Sequence, residues 1–426
     1  MSAAALGTAL LASCSTDTPS TETSSSDSAE RAPVGDPITF WDMPWGTASY
    51  INMAQDLVES YEPADGNLPV EYQGVQWANF YQNFLTAIAS GTNPAISTGG
   101  GFQAFGLAEE GAIHYADAVA EKLKDDYLPG ILEYVTLDEG VAGLPWHAYY
   151  NVLYYRSSML AEKGLAAPAT WEDLSTICEA FKQDGMAAFV VGAGPGNDRG
   201  HQTIMSFIVN NGGGLFDDDG NLDVMYDRNI EAVDYFIEMA SKGYIAREAI
   251  NYTQDNLAQQ FADRTGVIGF CPPNFAQQVG GDAVGDLIVA SPLTGPHGDQ
   301  GVIRFVNSVM MYKNNPSIPS TEAFAEWYIR NLEDVWRENL ITGVPIQNSM
   351  LDLPEVQANT ELVKIVEEYT PVARHYGSRK PSAFPALAKI DGSAAFFDFA
   401  QSCLSGDTDA QSALTKLQDD LAPIIG

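Results

Sequence analysis

Short β-rich runs alternate with segments of helical apolar spacing from Ile38 onward, and this alternation most restricts the architecture. Ile38-Thr39-Phe40-Trp41 follows Pro37 as a strand, and Ala48, Ile51, Ala54, Leu57, Val58 and Tyr61 then recur along one helix face. Residues 70–75 read as a second strand; Trp77, Phe80, Phe84 and Ile88 mark a second helix, which Gly91 and Pro94 end. After Gly140 the pattern resumes. Residues 151–156 read as a strand, Thr170-Trp171-Glu172-Asp173 as a capping box opening a helix through Phe181, and residues 187–192 as a strand. An amphipathic helix over 227–242, strands at 267–270 and 287–290, and a helix over 321–332 complete the series. Repeated strand and helix predict an α/β protein whose mainly parallel sheets are flanked by helices. No internal repeat or coiled-coil pattern interrupts it.

At 426 residues the chain is long enough for two domains. Its 45% hydrophobic and 11% aromatic residues mark a folding sequence. A formal net charge of -35, from 21 basic and 56 acidic residues, argues against nucleic acid as a partner, because phosphate binding needs a Lys/Arg surface. Cys178, Cys271 and Cys403 show no CxxC spacing, so no metal site is expected and no cofactor motif appears. They leave two states open, one disulfide with a free thiol or three buried thiols.

The amino terminus has its own logic. An apolar run from Ala3 to Ala12 ends in Leu11-Ala12-Ser13-Cys14, the order of a bacterial lipoprotein signal with Cys14 as the lipidated residue. No Lys or Arg precedes the run, the first basic residue being Arg31, which fits a first Met set too late. Residues 15–35, mostly Ser and Thr at first, cannot bury a core and read as a flexible tether. Beyond Cys14 no apolar run approaches the ~20 residues that cross a bilayer. Membrane attachment through the lipid alone, on the outer face of a bacterial cell, is the expectation.

Several short stretches then fall in a familiar order. Leu85-Thr86-Ala87-Ile88-Ala89-Ser90-Gly91-Thr92-Asn93-Pro94 comes first, followed by Ala108-Glu109-Glu110-Gly111, Gly143-Leu144-Pro145-Trp146 and Leu153-Tyr154-Tyr155. Pro168-Ala169-Thr170-Trp171-Glu172-Asp173-Leu174, Asn211-Gly212-Gly213-Gly214-Leu215-Phe216 and Val344-Pro345-Ile346 complete the set. Together they resemble the extracellular solute-binding proteins of the sugar-binding, maltose-binding-protein-like type, over roughly residues 36–424. The resemblance implies a two-lobed periplasmic-binding-protein-like fold, with the ligand between lobes joined by three crossing segments near 146–150, 291–295 and 344–348. The lobes would then be 36–148 with 296–345, and 149–295 with 346–426. It further implies a monomeric, non-enzymatic receptor that captures a sugar by lobe closure and delivers it to the transmembrane permease subunits of an ABC importer.

A sugar presents apolar C–H faces and a ring of hydroxyls, so its site needs aromatic plates and side chains that donate and accept. In open α/β sheets such residues sit in loops after strands. Trp45 lies in the loop after the first strand, Phe102 and Gln103 follow Gly99-Gly100-Gly101, and Trp146, His147 and Tyr149 lie on the first crossing. Asn197 and Asn210 border Gly-rich turns, Asn274 stands where the family places a stacking Trp, and Arg304, Asn307 and Asp391 complete the ligand-binding candidates. The loop at Gly99 lacks the Trp and the Asp-Arg pair of the maltose-binding type, so the sugar is left open.

Three other readings remain. Tyr149-Tyr150 suits ferric-ion binding on the same fold, polyamine binding is a second variant, and a secreted glycoside hydrolase is the third. Asp217-Asp218-Asp219-Gly220 lacks the bidentate Glu of a calcium loop and reads as a hairpin turn. Glu367-Glu368 reads as a solvated helix face.

Overall fold

The central strand Ile38–Asp42 buries Ile38, Phe40 and Asp42 and turns Thr39 and Trp41 outward, the period-two pattern of a pleated strand. In this computed structural model, which describes residues 35–425 apart from 47, 78, 79 and 381, it pairs in parallel with Val70–Gly74 on one side and Ile96–Gly99 on the other. Cys14 and nearly all of the expected tether lie outside the described residues.

The eleven-residue strand Val302–Tyr312 organises the remainder of this seven-stranded sheet. It runs antiparallel to Ile96–Gly99, Ile113–His114 and Leu144–Tyr150, and parallel to Ala373–Arg374. The α/β class expected from the alternation is present, and where mainly parallel sheets were expected this one mixes parallel and antiparallel pairing. A second sheet places Val152–Arg156 between Ile268–Cys271 and Leu287–Val289, both antiparallel to it. Residues 187–192, expected as a strand, contribute one parallel bridge from Phe189 to Ile268.

Chain continuity ties the two sheets together. Leu144–Tyr150 of the first runs through Asn151 directly into Val152–Arg156 of the second. The Asn151 side chain is fixed there by a bond to Ser206 Oγ at 3.0 Å. Helix Arg199–Asn210 is buried along most of its length and is pinned at its far end. Asn210 Nδ2 donates to the Leu293 and Gly301 carbonyls, and its Oδ1 accepts from Trp171 Nε1 at 2.7 Å.

Cys178, Cys271 and Cys403 are free and buried, the second of the two states left open above. Burial pushes the Cys178 thiol up to about 12. Asp217 closes the expected turn, its Oδ1 accepting from the Asp219 and Asn221 N–H groups. Glu367 is exposed, on a helical face. Among the described residues no helix is long and apolar enough to cross a membrane, and no group of three or more His, Cys, Asp or Glu is placed to hold a metal ion.

Candidate functional site

A cavity of about 880 Å³ opens between the first sheet with its loops and the start of helix Arg199–Asn210. The loop after Ile38–Asp42 supplies Pro44 and Trp45, the helix that follows Trp77 supplies Phe80 and Tyr81, and the loop after Ile96–Gly99 supplies Gly100 to Gln103. Strands bring His147, Tyr149, Phe305 and Asn307. Helix Arg199–Asn210 faces them with Arg199, His201 and Gln202 at its start, preceded by Asp198.

Trp45 is held from below. Its indole N–H donates to Thr98 Oγ1 at 3.0 Å, and Thr98 in turn donates to Asp42 at 2.7 Å. Asp42 also accepts from the Tyr50 hydroxyl at 3.0 Å and the Tyr72 hydroxyl at 3.2 Å. Burial outweighs these bonds and pushes the Asp42 carboxyl up to about 6. Trp45 meets Trp77 edge-on at 4.9 Å and Trp146 at 5.4 Å. Trp77, 36% exposed, is fixed by a bond from its Nε1 to the Pro44 carbonyl at 3.1 Å.

The polar side of the cavity is built on a β-bulge. The pairing of Val302–Tyr312 with Leu144–Tyr150 slips between Asn307 and Ser308, opposite the stretch that contains Pro145, and leaves Asn307 beside His147. Asn307 Oδ1 accepts from the Gly101 N–H at 2.8 Å, so its amide NH2 faces His147 Nε2, also at 2.8 Å. The imidazole must accept there and carry its proton on Nδ1, a buried donor with no partner. Burial holds this imidazole down at about 3, so it is neutral at physiological pH.

Gln103 is 5% exposed, and neither Nε2 nor Oε1 has a partner. An amide buried without partners is costly unless something enters to bond it. Close approach to the loop is secured by Gly101, whose φ of +49 favours glycine and whose added Cβ would stand 3.3 Å from the Phe305 ring.

On the opposite wall Arg199 donates to the Tyr149 hydroxyl and, at 2.9 Å, to Gln202 Oε1. Desolvation lowers its guanidinium to about 10. Asp198 carries a carboxyl raised by desolvation. Asp391, open to the cavity but crowded by protein, accepts from the Tyr376 hydroxyl; desolvation and then the charge of Asp198 raise it.

Of the residues singled out in the sequence, Trp45, Phe102, Gln103, His147, Tyr149, Asn307 and Asp391 come together on this cavity. Trp146 does not reach it, being fully buried behind Trp45 and His147 with its ring 6.5 Å from Tyr50. Asn197 turns inward to the Tyr252 carbonyl at 2.7 Å, and Asn210 is the anchor described above. Asn274 takes a positive φ of 63, donates its backbone N–H to Glu361 at 2.9 Å and its amide to the Ile341 carbonyl at 3.3 Å. Arg304 is buried over the Tyr134 ring at 4.9 Å. Tyr149 and Tyr150 are neighbours on one strand and face opposite sides, with the Tyr150 hydroxyl bonded to Thr370 at 3.1 Å, so they do not converge as an iron site requires.

Sequence reasoning passed over Asp198, Arg199, Gln202, Phe305 and Trp77, all of which line the cavity. Asp198-Arg199 immediately follows the flagged Asn197, so the signal lay one residue away. Trp77 was read as part of a helix face, whereas it precedes the helix and projects into the opening.

Comparisons with known proteins agree with this geometry. Residues 47–331 match the family model of the bacterial extracellular solute-binding proteins. A sugar transporter from Arthrobacter chlorophenolicus A6, solved with bound laminaribiose, is 41% identical; the match covers 91% of this chain and 99% of that one, with a TM-score of 0.84. Maltose-bound MalE3 of T. maritima shares the fold at 17% identity and a TM-score of 0.73, over 91% and 99% of the two chains. A binding protein of Brucella abortus is 20% identical over 289 residues, 66% of each chain, so the match spans just under two thirds of that relative.

Proposed function

The chain belongs to the bacterial extracellular solute-binding proteins, a family of transport receptors rather than enzymes, and from that premise we propose that it is the carbohydrate-binding component of an ABC importer. The observation that carries this reading is the pairing of aromatic faces at Trp45, Trp77 and Phe305 with the unpartnered amide of Gln103 in one cavity. Rings pack against the C–H faces of a sugar, and the amide donates to one hydroxyl while accepting from another. Tyr149, Asn307, His147 Nδ1 and the carboxylates of Asp198 and Asp391 add further bonds.

A β-linked glucose disaccharide is the first ligand to test, because the 41% identical relative was solved with laminaribiose. Calorimetry and thermal unfolding with laminaribiose, cellobiose, maltose and xylobiose decide the matter. Saturable heat and a raised Tm with a glucose disaccharide are expected. No heat and no stabilisation with any of the four would sink the assignment.

In the cell, the receptor takes the sugar between lobes formed by 36–148 with 296–345 and by 149–295 with 346–426, and hands it to the permease subunits. Closure requires bonds that the ligand makes to both lobes together, since only such a difference in affinity shifts the equilibrium. A lipid on Cys14 and a tether over 15–35 would hold the monomeric receptor near its transporter on the outer face of the membrane, raising its effective concentration there.

A further inference from the structure

Two carboxylates face the ligand cavity with no cation paired to either. Asp198 stands at the start of helix Arg199–Asn210, yet its side chain caps nothing and makes no hydrogen bond or ion pair among the described residues. Among the described residues the Asp391 carboxylate holds only the Tyr376 hydroxyl. The two act on each other, because the charge of Asp198 adds to the burial that raises Asp391. An independent feature lies on the same cavity: Gln103, 5% exposed, is among its lining residues and leaves both polar atoms of its amide unpartnered among the described residues.

The surroundings would otherwise suit an anion. A helix begins here with its dipole positive, although the Arg199 backbone N–H already donates to Asn197 Oδ1 at 3.1 Å, and the Arg199 guanidinium stands beside it. Asp198 cancels that field from the N-cap position. Arg199 is engaged with the Tyr149 hydroxyl and Gln202, so its charge is not directed at a ligand acid. His201, the other titratable group on this helix, is held neutral by burial.

We propose that Asp198 and Asp391 form a charge filter in the ligand cavity, admitting neutral sugars through hydroxyl donors and turning away sugars that carry a carboxylate. The filter rests on the carbohydrate reading above and adds which sugars that site refuses. A hydroxyl donates its proton to either carboxylate, whereas the carboxylate of a uronate, standing where the neutral sugar has a hydroxymethyl, offers only acceptors and a like charge.

The test compares laminaribiose with its counterpart in which one terminal hydroxymethyl is oxidised to a carboxylate. Dissociation constants are measured for the wild-type protein, Asp198→Asn and Asp391→Asn. The wild type is expected to prefer the neutral sugar on the order of 100-fold. Asp198→Asn should narrow that gap about tenfold or more, chiefly by binding the acid better, because the repulsion is lifted while the positive helix start remains. Its Tm should not fall below the wild type's, since Asp198 has no hydrogen-bond or ion-pair partner to lose among the described residues and its charge is desolvated, which guards the result against misfolding. Equal wild-type affinity for both sugars would overturn the filter alone. A gap that both variants leave unchanged would overturn its assignment to this pair. If neither sugar binds the wild type, the carbohydrate reading falls and the filter with it.

Discussion

The indoles at positions 45 and 146 touch each other edge-on, yet their environments assign them opposite work. Trp45 is half-buried on the cavity wall, aimed by the bond to Thr98 that Asp42 completes. Trp146 is fully buried with its indole N–H unpartnered, and it wedges against Trp45, His147 and Tyr50. Trp45→Ala should therefore weaken sugar affinity about tenfold to hundredfold while the fold survives, because an aromatic anchor in a binding pocket carries roughly 2 kcal/mol or more. Trp146→Ala should cost about 3–5 kcal/mol of stability by leaving a cavity in the core. Urea unfolding and calorimetry on both variants check this; unchanged stability in Trp146→Ala would show that the ring is not packing support. Sequence alone placed these residues near the site, since residue type and position after a strand flag a loop. It could not tell which way Trp146 points. In a strand neighbouring side chains face opposite sides, and whether a given side is core or cavity depends on partners distant in the chain.

Capping shows how far an element can be read from its own residues. Thr170 Oγ1 accepts from the Asp173 N–H at 3.1 Å, and Asp173 Oδ2 accepts from the Thr170 N–H at 3.0 Å and the Ala169 N–H at 3.1 Å. The helix Trp171–Lys182 starts where the capping box predicts, because every atom of that signal lies within four residues. Thr170→Ala should lower stability by about 1 kcal/mol and leave the affinity for sugar unchanged, as the cap is remote from the cavity. Denaturant midpoints with and without ligand separate these effects, and a loss of affinity would reveal coupling through the Thr170 to Thr294 bridge. Other elements depend on distant chain. Val302–Tyr312 is nearly all buried and pairs with strands that begin up to 206 positions earlier, so no alternation marks it, and its bulge at Asn307 is set by the partner strand. Residues 187–192 have the apolar composition of a strand, but only Phe189 finds a ladder partner in Ile268.

Across the whole molecule, three histidines from separate stretches are enclosed in the neutral form. Burial holds His147 and His201 at about 3 and His375 at about 4, well below the 6.5 of an ordinary imidazole. In the unfolded chain each takes up a proton as the pH falls through 6.5, while the folded protein binds none until far lower. The stability they confer is therefore complete above pH 6.5 and is lost as the pH falls toward 4. Asp42 works in the opposite sense. Its folded carboxyl at about 6 binds a proton before the unfolded one does, so acidification through 6 relieves a buried charge. From pH 7 to 6 Asp42 and Asp391, both raised to about 6, become half protonated in the folded state and offset part of what the three imidazoles lose, which leaves a net loss of about 1–2 kcal/mol. Below pH 6 the slope should ease as Asp42, and with it the raised carboxyls of Asp198, Asp391 and Glu361, take up protons in the folded state. It should steepen again toward pH 2, where carboxylates held low by their bonds, such as Asp286 at about 2, must be protonated. Urea unfolding of the ligand-free protein at half-unit steps from pH 7.5 to 2 traces this curve. A stability that is flat or rising between pH 7 and 6 would mean that the histidines are charged in the folded state. His147, bonded to its cross-strand neighbour Asn307 on the cavity wall, would then be a cation facing the ligand rather than a neutral donor.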